Sequence, residues 1–150
     1  MRTVAIVNRT RDSVLASAVR VADQWWQRAR GFLGRPEPKN GEGLLLNPCR
    51  AVHMIGMQYG LDVVFLDRQG RVLALYPRLG PGRRSSWHAR ARYAIELPAG
   101  TIHDSGTQVD DLIAWLPADA ADAADAASPG RNGKLDHAAA PAGRSNQDHT

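Results

Sequence analysis

The chain of 150 residues has one cysteine, Cys49, which excludes an intramolecular disulfide and suits a reducing compartment better than an oxidising one. No apolar run approaches the roughly 18 to 20 residues that a membrane-spanning helix needs. The apolar patches Val4 to Val7 and Val14 to Val21 are broken by Arg9, Arg11, Asp12 and Arg20, unlike a signal peptide, so a soluble, cytoplasmic protein is expected. Also missing are Gly-x-Ser-x-Gly, His-Glu-x-x-His, Cys-x-x-Cys and a phosphate-binding glycine loop, so no cofactor is expected and a binding or accessory domain is favoured over an enzyme.

Large apolar side chains are scarce at the C-terminal end. From Ala118 to Thr150 there are eleven alanines and five aspartates, Leu135 is the sole large apolar residue, and no aromatic occurs. Such a stretch cannot bury enough surface to offset its ordering entropy. The expected organisation is therefore a single β-rich domain over 1–117 and a disordered Ala/Asp-rich tail over 118–150. Charge divides the same way, +6 for the domain and −2 for the tail.

Within the domain, Thr3 to Val7 and Ser13 to Val21 read as strands. A helix follows, with Asp23 as its N-cap and Trp25, Ala29 and Phe32 on one apolar face, stopped by Gly34, Pro36 and Pro38. Further strands are expected at Leu44 to Leu46, His53 to Met57, Leu61 to Leu66, Arg71 to Tyr76, Tyr93 to Leu97 and Leu112 to Leu116, with a hairpin turn at Asp67 to Gly70. About seven short strands and one early helix predict a mainly β fold (α+β), a small sandwich or partly open barrel.

Four blocks carry a resemblance: Arg28-Ala29-Arg30-Gly31-Phe32-Leu33-Gly34-Arg35, Gly41-Glu42-Gly43-Leu44-Leu45-Leu46, Leu61-Asp62-Val63-Val64-Phe65-Leu66-Asp67 with Gly70, and Glu96-Leu97-Pro98-Ala99-Gly100. Their order and spacing, over roughly Val21 to Leu116, resemble the family called domain of unknown function 192. The branch is the one with a Pro-Cys-x-x-Val-His segment, here Pro48 to His53. The resemblance implies a small, compact, β-rich bacterial domain and, by the family's name, no established activity. Many members carry an export signal or lipid anchor, and none is visible in this sequence. The chain departs from the family at Met54 to Gln58, where Trp-Met-Lys-Asn is common, at Gly60, where proline is usual, and at Asp110, where glycine is usual. The last departure points to a reshaped turn.

Cys49, His53 and Met57 offer a thiol, an imidazole and a thioether, a set suited to a soft ion such as Cu(I), or to Zn(II) through the first two. Extended chain would hold residues four apart about 13 Å from each other. A turn started by Asn47-Pro48 would bring Cys49 and His53 together. The plainer reading makes Cys49 and the methionines apolar filling. Cys49 as a nucleophile would need a base and an orienting group, for which His88, His103 and Asp104 are available. Asp67 is expected to shape the hairpin turn and Asp62 to cap or to hydrogen-bond locally, rather than the two acting as an acid/base pair. Glu96 is unusual: alone in an apolar strand, it would need a cation such as a loop arginine if it faced inward.

No acidic residue lies between Asp67 and Glu96, whereas Arg68, Arg71, Arg78, Arg83, Arg84, Arg90 and Arg92 do, with Trp87, His88 and Tyr93 among them. Arginine interleaved with aromatics suits single-stranded nucleic acid, while the plainer reading is a solvated basic loop. The expected contact residues are Cys49, His53, Met57, Arg83, Arg84, Trp87 and His88, facing an unidentified protein or anionic ligand.

Overall fold

The computed structural model describes residues 1–120. The tail expected over 118–150 therefore falls almost wholly outside the described residues. Seven strands form one sheet: β1 (Thr3–Asn8), β2 (Ser13–Ala22), β3 (Glu42–Leu46), β4 (Leu61–Leu66), β5 (Val72–Leu79), β6 (Tyr93–Pro98) and β7 (Ile113–Pro117). The spatial order is β5-β4-β6-β3-β2-β1-β7, antiparallel throughout except for the parallel β2–β3 pair. Two short helices lie wholly within the described residues, α1 (Trp25–Arg30) and α2 (Thr101–Ser105). The mainly β architecture matches the expectation, in the form of a curled half-barrel. No helix among the described residues is long and apolar enough to cross a membrane.

Curling brings the two edge strands together at one end. Arg71 bridges Leu112, the Ile113 N–H donates to the Gly70 carbonyl at 2.8 Å, and the Asp110 N–H donates to the Val72 carbonyl at 2.9 Å. Gly70, at φ +86°, lies so close to the Ile113 carbonyl that a Cβ there would collide with it, so the turn that joins β4 and β5 also closes the sheet.

Side chains alternate between two apolar clusters on opposite faces of the sheet. Val19, Leu45, Val64, Ile95 and Leu97 belong to the first cluster, and Leu44, Leu46, Val63, Phe65 and Ala94 to the second. Strands buried on both faces read as continuous apolar runs, which is why β3, β4 and β6 are nearly unbroken hydrophobic sequence. The second face is covered by α1 and the irregular segment 47–59, and this covering layer carries the candidate site.

Three sequence expectations are corrected in that layer. First, α1 is capped by Gln24, whose backbone N–H donates to Gln27 Oε1 at 3.3 Å, rather than by Asp23. The helix has six residues and turns at Gly31 (φ +51°), so the expected face of Trp25 and Ala29 never reaches the core. Gln27 is its buried residue, Trp25 and Trp26 stand in solvent, and only Phe32, beyond the helix, packs inward. Second, His53 to Met57 is not a strand. His53 makes one bridge to Arg84, and the chain then folds back so that the Met57 N–H donates to the Met54 carbonyl at 3.1 Å. Third, Asn47-Pro48 starts no helical turn. The helix α2 was not expected from the sequence, because five residues are too few to show a 3.6-residue period. Asp110 keeps a backbone that favours glycine, at φ +75°, so the turn there retains its left-handed residue.

Candidate functional site

A cleft of about 350 Å³ opens between α1, the segment after β3 and the loop that precedes β6. Backbone pairing holds its walls together. The Met54 N–H donates to the Arg83 carbonyl at 2.7 Å, the Gly82 N–H to the Met54 carbonyl at 2.8 Å, and the Ser85 N–H to the Val52 carbonyl at 2.8 Å. Ser85 Oγ accepts from the Val52 N–H at 2.9 Å, and the His88 N–H donates to the Arg50 carbonyl at 2.9 Å. These bonds join two segments separated by some thirty residues of sequence into one wall.

Of the residues expected at a site, Cys49, His53, Met57 and Trp87 line this cleft. Arg83 and Arg84 lie exposed on the adjoining ribbon without lining it. His88 does not line it either. Its ring packs on Phe65 with centroids 4.6 Å apart, and its Nε2 is 2.7 Å from Tyr76 Oη, so it is tied to β4 and β5 instead. His103 and Asp104 are far exposed on α2, beside each other and away from the cleft.

The surroundings of Cys49 disfavour its thiolate. Burial pushes its pKa up to about 11, and nearby Glu96 adds to the effect, so the group is a protonated thiol near neutral pH. Its Sγ–H donates to the Ala51 carbonyl at 3.2 Å. A nucleophilic cysteine needs its thiolate stabilised, the opposite of this environment. Among the described residues, no group of three or more His, Cys, Asp or Glu is placed to hold a metal ion. The soft-ion set is present as three side chains, those of Cys49, His53 and Met57, lining one cleft.

Glu96 supplies the floor. In register with Leu44 of β3 and Val63 of β4, it points to the second face, as Ala94 does two residues earlier. It is 4% exposed, and its Oε2 has no hydrogen-bond partner. Gly31 passes directly over it: a Cβ at that residue would lie 3.2 Å from Oε2 and 3.3 Å from Oε1. Glycine at that helix end thus permits both the turn and the approach to the carboxyl. Burial pushes the carboxyl up to about 7, against the opposing pull of the Phe32 backbone N–H and the Arg35 guanidinium. The inward orientation raised from sequence is what occurs, but no arginine closes an ion pair on it among the described residues.

The rim is apolar and basic. Eight large apolar side chains are exposed among the described residues, and four of them, Trp25, Leu33, Ile55 and Trp87, line the cleft. Arg28, Arg30 and Arg50 stand among them. Arg28 is fixed by donating from Nη1 to the Asp23 carbonyl at 2.7 Å and to the Asn47 carbonyl at 3.3 Å. Sequence reasoning assigned Trp25 to a core face and left Arg28, Arg50 and Ile55 without a role. The one signal it registered here was the lone acid of β6, Glu96.

The other acids are structural. Asp62 is buried and accepts the Arg78 and Ile102 N–H groups, each at 2.8 Å, so it caps the first turn of α2 as one expectation had it, but from a distant strand, and also ties β4 to β5. Asp67 Oδ1 accepts the Gln69 and Arg71 N–H groups at 2.9 Å and shapes the turn as expected.

Comparison with known proteins agrees with the fold. The family model described as DUF192, Uncharacterized ACR, matches residues 6–115. A UPF0127 protein of Thermococcus sibiricus is 31% identical over 114 residues, covering 73% of each chain. A UPF0127 protein of Pyrococcus horikoshii is 32% identical over 116 residues, covering 74% of this chain and 98% of the relative. These relatives are archaeal, so the bacterial origin implied by the sequence resemblance is not supported by them. The crystal structure of a Novosphingobium aromaticivorans protein of unknown function superposes with a TM-score of 0.62 at 18% identity, over 75% of this chain and 84% of that one. At that identity the likeness speaks to the fold alone.

Proposed function

Since the chain belongs to the DUF192 family, also called UPF0127, and that name carries no activity, we propose from the site itself that this is a non-enzymatic ligand-binding domain whose partner seats in the cleft between α1, the 47–57 segment and Trp87. One observation carries the reading: half of the exposed large apolar side chains among the described residues converge on a single cleft whose floor is a buried carboxyl oxygen without a partner. Scattered surface hydrophobics are ordinary, but their concentration around a concavity with a few convergent polar groups marks a binding site. Arg28, Arg30 and Arg50 on the rim favour an anionic ligand. Cys49, His53 and Met57 are contact residues of the wall, not catalysts.

A fragment set of aromatic acids, aromatic amines and sugars, followed through amide shifts and tryptophan fluorescence, tests this reading. Shifts should concentrate at residues 28–33 and 49–57, and Trp87→Ala should weaken binding about threefold to tenfold, the usual worth of one aromatic contact. Shifts confined to other surfaces, or none with any fragment, would sink the proposal.

Single-stranded nucleic acid is a second reading, favoured by Arg83 and Arg84 lying exposed on the ribbon that pairs with His53, next to Trp87. It requires oligothymidylate binding that falls steeply with salt and weakens when Arg83 and Arg84 become alanine. Affinity unaffected by that double substitution leaves the basic loop as a solvated surface.

A further inference from the structure

Glu96 is the one polar group of the cleft floor that the binding-domain reading leaves unused. Its Oε2 lies at the base of the cleft with almost no exposed surface and no hydrogen-bond partner, an arrangement that calls for an explanation. The elements packed against it determine what could satisfy it. From α1 and the turn after it come Arg28, Arg30 and Arg35, the first two lining the cleft. The 47–59 segment contributes Cys49, Arg50, His53 and Tyr59. Trp87 is the cleft residue of the loop before β6, and the flanking strands present only Leu44 and Val63. Three arginines therefore face a cleft in which Glu96 is the sole acid.

Resting on that binding-domain reading, we propose that Glu96 floors a subsite for an oxyanion headgroup, a carboxylate or phosphate, on a ligand whose apolar ring or chain lies against Trp25 and Trp87. The Glu96 carboxyl donates its O–H to one ligand oxygen, and Arg28 and Arg50 offset the ligand's charge at the rim. Charge complementarity selects this headgroup over an ammonium, which three arginines would repel. A hydrogen bond between a neutral carboxyl and an anion is charge-assisted and is stronger in a dry site. Burial keeps the acid protonated up to about pH 7, so the donor is present at neutrality and below.

Proton and ligand must then bind together. An anion bound next to Glu96 raises the carboxyl's pKa further, and reciprocally the proton raises affinity for the anion. Affinity should be constant well below pH 7 and fall by about tenfold per pH unit above it, the signature of one proton. Glutamine is always a donor at this position, so Glu96→Gln should retain binding and lose the pH dependence.

The experiment is calorimetric titration of the full chain with benzoate, phenyl phosphate and benzylamine between pH 5.5 and 9, with Glu96→Gln and Arg50→Ala alongside. Expected are binding of at least one acid, proton uptake on binding, a pH slope absent from Glu96→Gln, and weakening by Arg50→Ala, an exposed change that spares the core. Acid binding that ignores pH, or that keeps its slope in Glu96→Gln, overturns the proposal. So does a chain that binds neither acid. Benzylamine seated in the cleft with affinity rising with pH also overturns the oxyanion subsite, yet leaves the binding-domain reading standing, so the two failures are distinguishable.

Discussion

Glu96 combines a helpful position for a ligand with an unfavourable one for the fold. Burial raises its carboxyl from an ordinary 4.5 to about 7, so the folded chain holds a proton that the unfolded chain releases. The native state is therefore fully favoured at this residue below about pH 4.5 and loses stability as pH rises toward 7. At about 1.4 kcal/mol per unit the loss is on the order of 3 kcal/mol. Urea unfolding at pH 5 and pH 8 should show native protein weakening across that interval by an amount that Glu96→Gln largely removes. A variant with the same pH dependence as the native chain would place the effect elsewhere. Cys49 illustrates the opposite lesson at this scale. Its spacing to His53 suggested chemistry, and the spacing does bring the two to one cleft, but burial leaves an inert thiol.

Short elements here are held by side-chain bonds to residues distant in sequence more than by their own length. The entry to β7 is the clearest case. Asp111 accepts from Asn8 Nδ2 at 2.9 Å, from Arg11 Nε at 3.1 Å and from the Gln108 N–H at 2.9 Å, fastening the β1–β2 turn to the last strand. Burial alone would push this carboxyl up, but the Asn8 and Arg11 bonds outweigh it and hold it below the ordinary range. Its contribution is therefore present at neutral pH and lost only in strong acid. Asp111→Asn, which replaces an acceptor by a donor facing Arg11 and Asn8, should cost about 1 to 3 kcal/mol in thermal or urea unfolding. A change within about 0.5 kcal/mol, the range of ordinary surface substitutions, would show that the pairing of β1 with β7 suffices without it.

Strands β3, β4 and β6 were readable as short continuous apolar runs because both of their faces are buried. Helix α1 was readable in position but not in orientation. The pattern Trp25, Ala29, Phe32 looks amphipathic, yet a six-residue helix ending at Gly31 cannot carry that face into the core. A helix face predicts burial only when the helix is long enough to lie along another element.

Across the whole molecule the sheet is built from distant pairings. β1 pairs with β7, β3 with β6, and the turn after β4 meets the start of β7. Removing one end therefore opens the edge at the other. A chain ended at Val109 lacks Ile113 of the first cluster and Trp115, which packs on Tyr93 with centroids 4.7 Å apart. It also leaves β1 unpaired along one side. That truncated chain should show no cooperative thermal transition by circular dichroism. A sharp transition near that of the full chain would mean that β7 is dispensable and the sheet need not close.

Sequence by itself determined the class of this protein: seven of the expected strands with their approximate limits, though not the one at His53 to Met57, the Asp67–Gly70 turn and the family blocks follow from local apolar runs and alternation, turn chemistry and composition. It also pointed to Cys49, His53, Met57 and Trp87, since each is chemically distinctive where it stands. Only the tertiary structure decided what those residues do together. The pairing of the 49–57 segment with 83–88, the outward placement of Trp25 and the inward placement of Glu96 depend on contacts between residues far apart in the chain. So do the pKa values of Cys49 and Glu96, because burial is a property of the packed neighbours of a group, and no spacing along the chain specifies it.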